Sequence, residues 1–353
     1  MTSVADFDFD LPAELVAQEA APRGTSRLLV LDRGSGTVAH TSIRELPRYL
    51  TASDMLVAND TRVFPARLLG RRVPSGGAVE CLLLDEARGA RRDGQVWTAL
   101  MHPGQKLKPG SLVRFESDAG VLMAEVLERQ FFGRRTIRLW SETGADIDDL
   151  VDAMGHVPLP PYIRRPDTAA DRERYQTVFA SRRGSIAAPT AGLHFDRALL
   201  DEIDRAGVER TTITLHVGYG TFKPVRVDRV EDHVVDPEPY EITEPTSASI
   251  NAALDAGRRV IAIGTTTTRA LEDAARRGGG RVPPGAAFAD LFIHPGFRFQ
   301  VIAGLLTNFH LPRSSLLMLV AAFAGRERVL AAYHEAITLG YRFYSYGDAM
   351  LIL

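Results

Sequence analysis

Residues 55–73 read MLVANDTRVFPARLLGRRV, and the texture of the chain changes inside them. The first four are an unbroken apolar run of strand length, as expected of a strand covered on both faces. The polar run Asn59-Asp60-Thr61-Arg62 follows at its end. From about Arg67 to Trp140 the pattern becomes short alternating strands, at 79–84, 96–101, 111–115, 122–127 and 136–140. Gly, Pro and Asp turns separate them, with no helical period between. Close-spaced strands of this kind predict a small antiparallel barrel.

Helical periods lie on both sides of that stretch. Residues 11–19 read as a short amphipathic helix, 27–32 and 38–40 as strands around Gly34-Ser35-Gly36, and 43–50 as a helix. Beyond the barrel, a helix at 147–154 precedes the Pro-rich run Val157-Pro158-Leu159-Pro160-Pro161-Tyr162. Helices at 197–206, 246–256 and 269–277 then alternate with strands at 210–216 and 259–263. Helices at 314–324 and 326–339 and a strand at 349–353 close the chain. Alternation of this kind predicts an α/β layered core. The expected fold class is therefore α/β, with a large layered α/β domain of residues 1–66 and 146–353. A small antiparallel β-barrel domain, residues 67–145, is inserted in it.

A length of 353 residues suits two domains, and 45% hydrophobic with 24% charged residues is an ordinary globular composition. The one cysteine, Cys81, excludes an intramolecular disulfide and a thiol-rich zinc site. The longest nearly unbroken apolar run, 315–325, is too short to span a bilayer, and the acidic start has no signal pattern. A cytoplasmic protein with no membrane partner is expected. Net charge is −2, yet residues 61–140 carry fourteen Lys and Arg against eight Asp and Glu. Such asymmetry hints at a nucleic-acid face. Arg129, Arg134, Arg135 and Arg138 flank Phe131-Phe132-Gly133, bringing guanidinium groups close to rings able to stack. A solvated hairpin is the plainer alternative.

Common signatures are missing. No Gly-x-Gly-x-x-Gly follows a first strand, and there is no phosphate loop ending in Gly-Lys-Ser/Thr and no His-Glu-x-x-His. No pair among His194, His216, His233, His294 and His310 has ligand spacing, so no metal is expected. Five polar segments remain as candidate sites. In the first, Asp60 suits a ribose hydroxyl or base chemistry, and Arg62 a carboxylate or phosphate; an Asx turn is the alternative. The second is Ala187-Ala188-Pro189-Thr190-Ala191-Gly192-Leu193-His194-Phe195, whose small residues let a ligand approach Thr190 and His194. The third, Thr214 to Pro224, places His216, Gly218 and Tyr219 after a strand in a loop suited to lining a ligand. The fourth, Gly264-Thr265-Thr266-Thr267-Thr268-Arg269, joins a strand to a helix, where hydroxyls and free N–H groups bind anions or hydroxylated ligands. The fifth, Leu305 to Ser315, sets Asn308-Phe309-His310 between two apolar runs and offers Asn308 to a base edge and Phe309 for stacking. The competing readings for the last four are a structural turn with a buried His, a plain connecting loop, simple helix capping, and a buried turn with a satisfied core histidine. Ser315 with His310 is no hydrolase pair, because no Gly-x-Ser-x-Gly elbow exists.

Taken together and in order, these segments resemble the S-adenosylmethionine:tRNA ribosyltransferase-isomerases of the queuosine pathway. The likeness extends over Asp6-Phe7-Asp8-Phe9-Asp10-Leu11-Pro12, Ser26-Arg27-Leu28-Leu29-Val30-Leu31-Asp32 and Asp171-Arg172-Glu173-Arg174-Tyr175-Gln176-Thr177-Val178-Phe179. It takes in the Pro-rich run and the five segments above, and runs nearly end to end. The resemblance implies a large α/β domain with an inserted antiparallel barrel. It also implies a reaction in which the ribosyl part of S-adenosylmethionine is transferred and isomerised onto 7-aminomethyl-7-deazaguanine at the tRNA wobble position. Epoxyqueuosine in tRNA, adenine and methionine are the implied products. S-adenosylmethionine is then a co-substrate, the anticodon stem-loop of tRNA the partner, and a monomer the expected state.

That chemistry assigns candidate roles. His194, His216 and Asp60 are candidates for the base that removes a proton beside the sulfonium. His310 or Asn308 would assist the departing adenine, and Arg62 or Arg269 would hold the methionine carboxylate. Asp60 with Thr265, Thr266, Thr267 and Thr268 would meet the ribose hydroxyls, and Phe309 or Tyr219 would stack on the splayed tRNA base. One run departs from the family pattern: Asp236 stands where a second His commonly follows His233. A related transferase acting on another acceptor is therefore one alternative. A non-catalytic tRNA-binding protein is another, and a structural protein with buried histidines a third.

Overall fold

The computed structural model describes residues 2–87, 94–222 and 225–353. In chain order the first strands are β1 (Arg27–Leu31), β2 (Val38–Ser42), β3 (Met55–Asn59) and β4 (Thr61–Val63). Then come β5 (Arg67–Val73), β6 (Ala78–Glu86), β7 (Gln95–His102), β8 (Leu112–Ser117), β9 (Gly120–Arg129) and β10 (Arg134–Ser141). Helices α1 (Ile147–Met154) and α2 (Ala169–Arg174) precede β11 (Arg182–Ser185), α3 (Arg197–Arg205), β12 (Glu209–Leu215) and β13 (Glu238–Ile242). The remainder is α4 (Glu244–Asp255), β14 (Val260–Ile263), α5 (Thr265–Arg277), β15 (Gly285–Ala289), β16 (Ile302–Asn308), α6 (Ser315–Ala324), α7 (Arg326–Thr338) and β17 (Ala349–Ile352).

Two compact units result. One comprises Met1–Arg62, Pro161–Arg165 and Arg174–Leu353; the other comprises Val63–Pro160 and Pro166–Glu173. The first unit is built on a nine-stranded sheet in the order β15-β13-β12-β3-β14-β16-β17-β1-β2. β12, β3, β14 and β16 run parallel to one another, and β17 runs against β16. Apolar side chains cover both faces. Along β1, Leu29 and Leu31 join a core with α5, α6 and α7, while Leu28 and Val30 join one with α3 and the turn at Ile43–Tyr49. This explains why the central strands read as continuous apolar runs. β13 and β15 escape a sequence reading. Glu-Pro-Tyr-Glu-Ile carries a proline, and β15 is a small-residue stretch after Pro283-Pro284.

The second unit holds a closed barrel in the order β10-β7-β6-β5-β8-β9, antiparallel throughout. All five expected strands are present, and β5 is the sixth. Its run RLLGRRV buries only Leu68 fully, so alternation hardly marks it. This unit also runs past the boundary expected at 145. α1 belongs to it, packing on β9 and β10, and Leu150 reaches the backbone of Gly120. The helix expected at 11–19 shrinks to a single 3-10 turn, Ala13–Leu15, and that expected at 43–50 is the 3-10 segment Ile43–Tyr49 with Pro47 inside it. A proline within the run removes an α-type hydrogen bond.

The hairpin basic cluster divides by function. Arg135 is 1% exposed, and its guanidinium donates to the carbonyls of Leu107 (3.1 Å), Arg134 (2.7 Å) and Gly104 (2.5 Å). It is an internal strut of the barrel. Arg138 pairs with Glu125 at 2.7 Å. Replacing Arg135 with Ala removes three charge-assisted hydrogen bonds and leaves the buried Leu107 carbonyl without its donor, while the Arg134 and Gly104 carbonyls keep the Gln130 and Leu107 amides; stability should fall by about 2 kcal/mol, as read by urea unfolding. A change below about 1 kcal/mol would remove Arg135 from the barrel framework.

Candidate active site

Parallel strands bring their carboxyl ends to one edge, and ligands of open α/β sheets bind outside that edge. Here β12, β3, β14 and β16 end together. β17 runs the other way, with Ala349 opposite Asn308, so the segment entering it, Tyr344 and Ser345, reaches the same edge. The cleft at this edge has a volume of about 570 Å³. Of the residues singled out in the sequence it collects Thr190, Thr265, Thr266, Asn308 and His310. It adds three that sequence reasoning missed: Tyr162, Tyr175 and Tyr344. Two of these lay inside motifs noted above, but nothing in the sequence marks a tyrosine as lining a cleft.

Local structure explains each placement. Gly264 opens α5 at φ +94°, a conformation open to glycine, and turns the chain sharply from β14 into the helix. The four threonines then divide. Thr267 and Thr268 turn back to the carbonyls of Ile263 (2.7 Å) and Gly264 (3.1 Å) and are fully buried. They serve the helix and not a ligand, contrary to expectation. Thr265 and Thr266 line the cleft. Tyr344 sits at φ +74°, strained for an aromatic residue. Its amide donates to the Phe309 carbonyl at 3.0 Å, and its carbonyl accepts from Asn308 Nδ2 at 2.9 Å. Strain of this kind, held from both sides, is typical of functional clefts.

Asn308 is therefore fixed by its amide nitrogen, while its Oδ1 is buried without a hydrogen-bond partner. Thr266 Oγ1 and Tyr175 Oη are in the same condition, while His194 Nε2 lies against Asn308 itself. His194 does not line the cleft. It stands behind Asn308, with Nδ1 at 2.8 Å from Ser26 Oγ. Each unmet buried group costs about 1–3 kcal/mol, so three on lining residues of one cleft point to a polar ligand. His310 has Nε2 at 2.9 Å from Thr307 Oγ1, and its amide donates to the Tyr333 hydroxyl.

The cleft is electrically neutral. Among the described residues its lining has no Asp, Glu, Lys or Arg. Burial pushes the His310 imidazole down to about 3 and the Tyr344 phenol up to about 12, and raises Tyr162 and Tyr175 as well. His194 is likewise pushed down to about 4 by burial. Unfolded histidine titrates near 6.5. Below that pH the unfolded chain binds protons that the folded chain refuses, so stability is full above about 6.5 and falls as the solution is acidified. Between about pH 7.5 and 5 each of the two imidazoles removes about 2 kcal/mol. Urea midpoints should fall across that range, and His194→Gln should flatten the profile; a flat wild-type profile would contradict both burials.

A second pocket, about 510 Å³, shares Thr221 and Leu316 with the first and is ionic. Glu238 lies at its floor, 1% exposed. It accepts from the Gly218 amide (3.0 Å), the Thr221 hydroxyl (2.8 Å) and Arg269 Nη1 (2.5 Å). Arg269 also donates to the carbonyls of Ala289 and Leu291. Its charge is matched inside the protein, which corrects the expectation that it takes a substrate carboxylate. Gly218 is engaged through its amide by the same glutamate. His233 and Asp236 line this pocket, and His233 packs edge-on against Phe292 at 5.0 Å. Burial lowers the His233 imidazole, and Asp236 opposes that shift.

A third group gathers at the ends of β3 and β12. Buried Asn59 bonds the Leu215 carbonyl and amide and the Thr61 amide, locking the two strand ends together. Asp60 accepts from Ser181 (2.9 Å) and Thr214 (2.6 Å). His216 Nδ1 meets Thr61 Oγ1 at 2.8 Å, and burial lowers its pKa. Gly184 lies so close that a Cβ there would stand 2.7 Å from the His216 ring. Neither Asp60 nor His216 lines the two pockets described. Arg62 is exposed and Tyr219 half-buried in the turn Tyr219–Phe222. Lys223 and Pro224, the end of the third segment, lie outside the described residues. Phe309 is fully buried among Tyr333, Tyr341 and Phe343, so it is core and does not stack on a base. Among the described residues no three His, Cys, Asp or Glu side chains are grouped to hold a metal ion, and no helix is long and apolar enough to cross a membrane.

A family model described as a queuosine biosynthesis protein matches residues 4–352. The S-adenosylmethionine:tRNA ribosyltransferase-isomerase of Heliobacterium modesticaldum is 49% identical over 351 residues, covering 99% of each chain. That of Geotalea uraniireducens is 50% identical over 351 residues, covering 98% of each. The crystal structure of the S-adenosylmethionine tRNA ribosyltransferase from Thermotoga maritima is 35% identical, covers 99% of this chain and 100% of its own, and superposes with a TM-score of 0.53. With the α/β sheet, the barrel and a neutral cleft at the strand ends all in place, the chain belongs to the queuosine biosynthesis protein family.

Proposed function

We propose that this chain is an S-adenosylmethionine:tRNA ribosyltransferase-isomerase. It moves the ribosyl group of S-adenosylmethionine onto 7-aminomethyl-7-deazaguanine at the wobble position of tRNA and releases adenine and methionine. Relatives of equal length and about half-identical sequence carry that name. The observation that carries the reading is the neutral cleft with its unmet polar atoms. A nucleoside offers such a cleft what it lacks: an exocyclic amine for Asn308 Oδ1, ring nitrogens for hydroxyl donors, and ribose hydroxyls for Thr190, Thr265 and Thr266. The walls of Tyr162, Tyr175 and Tyr344 suit a planar base and a sulfonium.

Roles follow from basicity. An imidazole held near 3 or 4 is a poor proton acceptor at neutral pH, so His310 and His194 serve as neutral hydrogen-bonding and positioning groups. His216, half-buried with Asp60 close by, is the remaining base candidate, standing at the ends of β3 and β12 outside the lining of the cleft. Arg62, exposed, is the cation proposed for the methionine carboxylate. The partner is the anticodon stem-loop, the working state a monomer and the compartment the cytoplasm. The test is a product assay with tRNA carrying the aminomethyl-deazaguanine base. Adenine by chromatography together with an epoxycyclopentyl nucleoside by mass spectrometry is the expected result. Neither product, from folded protein that binds tRNA, would refute the reading.

A further inference from the structure

The barrel carries a groove of about 1310 Å³ that the sheet-edge chemistry does not use. The turn Gly104–Lys106 and the facing ends of β9 and β10 line it. Its cations are Lys106, Arg129 and, beneath them, Arg135. Among the described residues the lining has no Asp or Glu. Lys106 and Arg129 are exposed, and no ion pair engages either among the described residues. Three other barrel arginines are paired with carboxylates: Arg67 with Glu80, Arg114 with Glu116 and Arg138 with Glu125.

Phe131 stands on the same lining with 86% of its surface exposed. A phenyl group so far out adds almost nothing to folding and leaves both ring faces open to a partner. Gln105 and Gln130 flank it with neutral donors and acceptors. The buried Arg135 strut ties the 104–107 turn to the hairpin, so the groove has a fixed floor. Unmatched cations beside an outward aromatic ring are the two parts of a single-strand platform, in which cations follow phosphates and the ring takes an unpaired base. A duplex hides its base faces from such a ring.

We propose that this groove is an RNA-binding surface in which Lys106 and Arg129 meet the phosphates of an unpaired stretch and Phe131 stacks on one of its bases. The proposal rests on the reading that the chain acts on tRNA. It narrows the nucleic-acid face hinted at by the hairpin cluster of Arg129, Arg134, Arg135 and Arg138 to Arg129 and Phe131, and adds Lys106.

The full chain would be titrated with tRNA by fluorescence anisotropy at several salt concentrations. Phe131→Ala should weaken binding about tenfold, and Phe131→Trp should restore it. Arg129→Ala and Lys106→Ala should each flatten the dependence of log K on log salt by about 0.7. Phe288→Ala, at an exposed ring on β15, should change nothing. Wild-type affinity and salt slope in all the barrel variants would overturn the groove and leave the tRNA reading standing. An equal loss from Phe288→Ala would overturn it too. A wild-type chain that binds no tRNA would overturn both.

Discussion

Replacing Glu238 with Ala should lower the unfolding free energy by about 3–5 kcal/mol, the loss found when one partner of a buried ion pair is removed. Glu238 and Arg269 are both nearly inaccessible, at 2.5 Å. The glutamate also satisfies the Gly218 amide and the Thr221 hydroxyl, so its removal strands a guanidinium, an amide and a hydroxyl at once. Glu238→Gln keeps acceptor oxygen and volume but leaves the guanidinium charge unmatched, and should cost less. Removing both charges together, Glu238→Gln with Arg269→Met, should recover much of the loss, since a well-packed neutral pair often matches a buried ionic one. Urea unfolding reads all three. A loss below about 1 kcal/mol in Glu238→Ala would mean that Arg269 finds other partners and the second pocket is not organised by this pair.

Asn308 should show the largest effect on turnover. Its amide nitrogen holds the carbonyl of the strained Tyr344, while Oδ1 is buried beside His194 without a partner within hydrogen-bonding geometry. Asn308→Asp changes both. A carboxylate oxygen would face the Tyr344 carbonyl, and a charge would enter a cleft with no cation on its lining. Adenine release should fall by about a hundredfold or more in kcat/KM near pH 8. The introduced carboxyl should itself titrate high through desolvation. As the pH drops towards about 6 it becomes an O–H that can donate to Tyr344 as the amide did, and part of the rate should return. A variant equally slow at both pH values would mean that the amide acts through shape alone. A fully active one would remove Asn308 from the site.

The sequence made most of the layering legible. Unbroken apolar runs marked the central strands, and close-spaced alternation marked five of the six barrel strands. β5 was lost because Gly70 and paired arginines blur its alternation, and β13 because Pro239 reads as a loop. Within the site, polar residues at strand ends were legible as a group, since an edge of parallel strands collects them. Their individual duties were not. Nothing local distinguishes Thr266, which lines the cleft, from Thr267, which bonds back to Ile263. Arg269 looked like a ligand cation until folding brought Glu238, thirty-one residues away, against it. Phe309 looked like a stacking ring but completes an aromatic core. The three tyrosines, and the neutrality that burial imposes on the cleft, are properties of packing that no motif carries.

The central claim is that S-adenosylmethionine is consumed as a ribosyl donor. The most direct measurement incubates the chain and its tRNA with S-adenosylmethionine carrying one isotope in the ribose and another in the methyl group. The ribose label should appear in the tRNA nucleoside, with the methyl label in free methionine and adenine released in equal amount. Methyl label in the tRNA, or ribose label left with the adenine, would contradict the account.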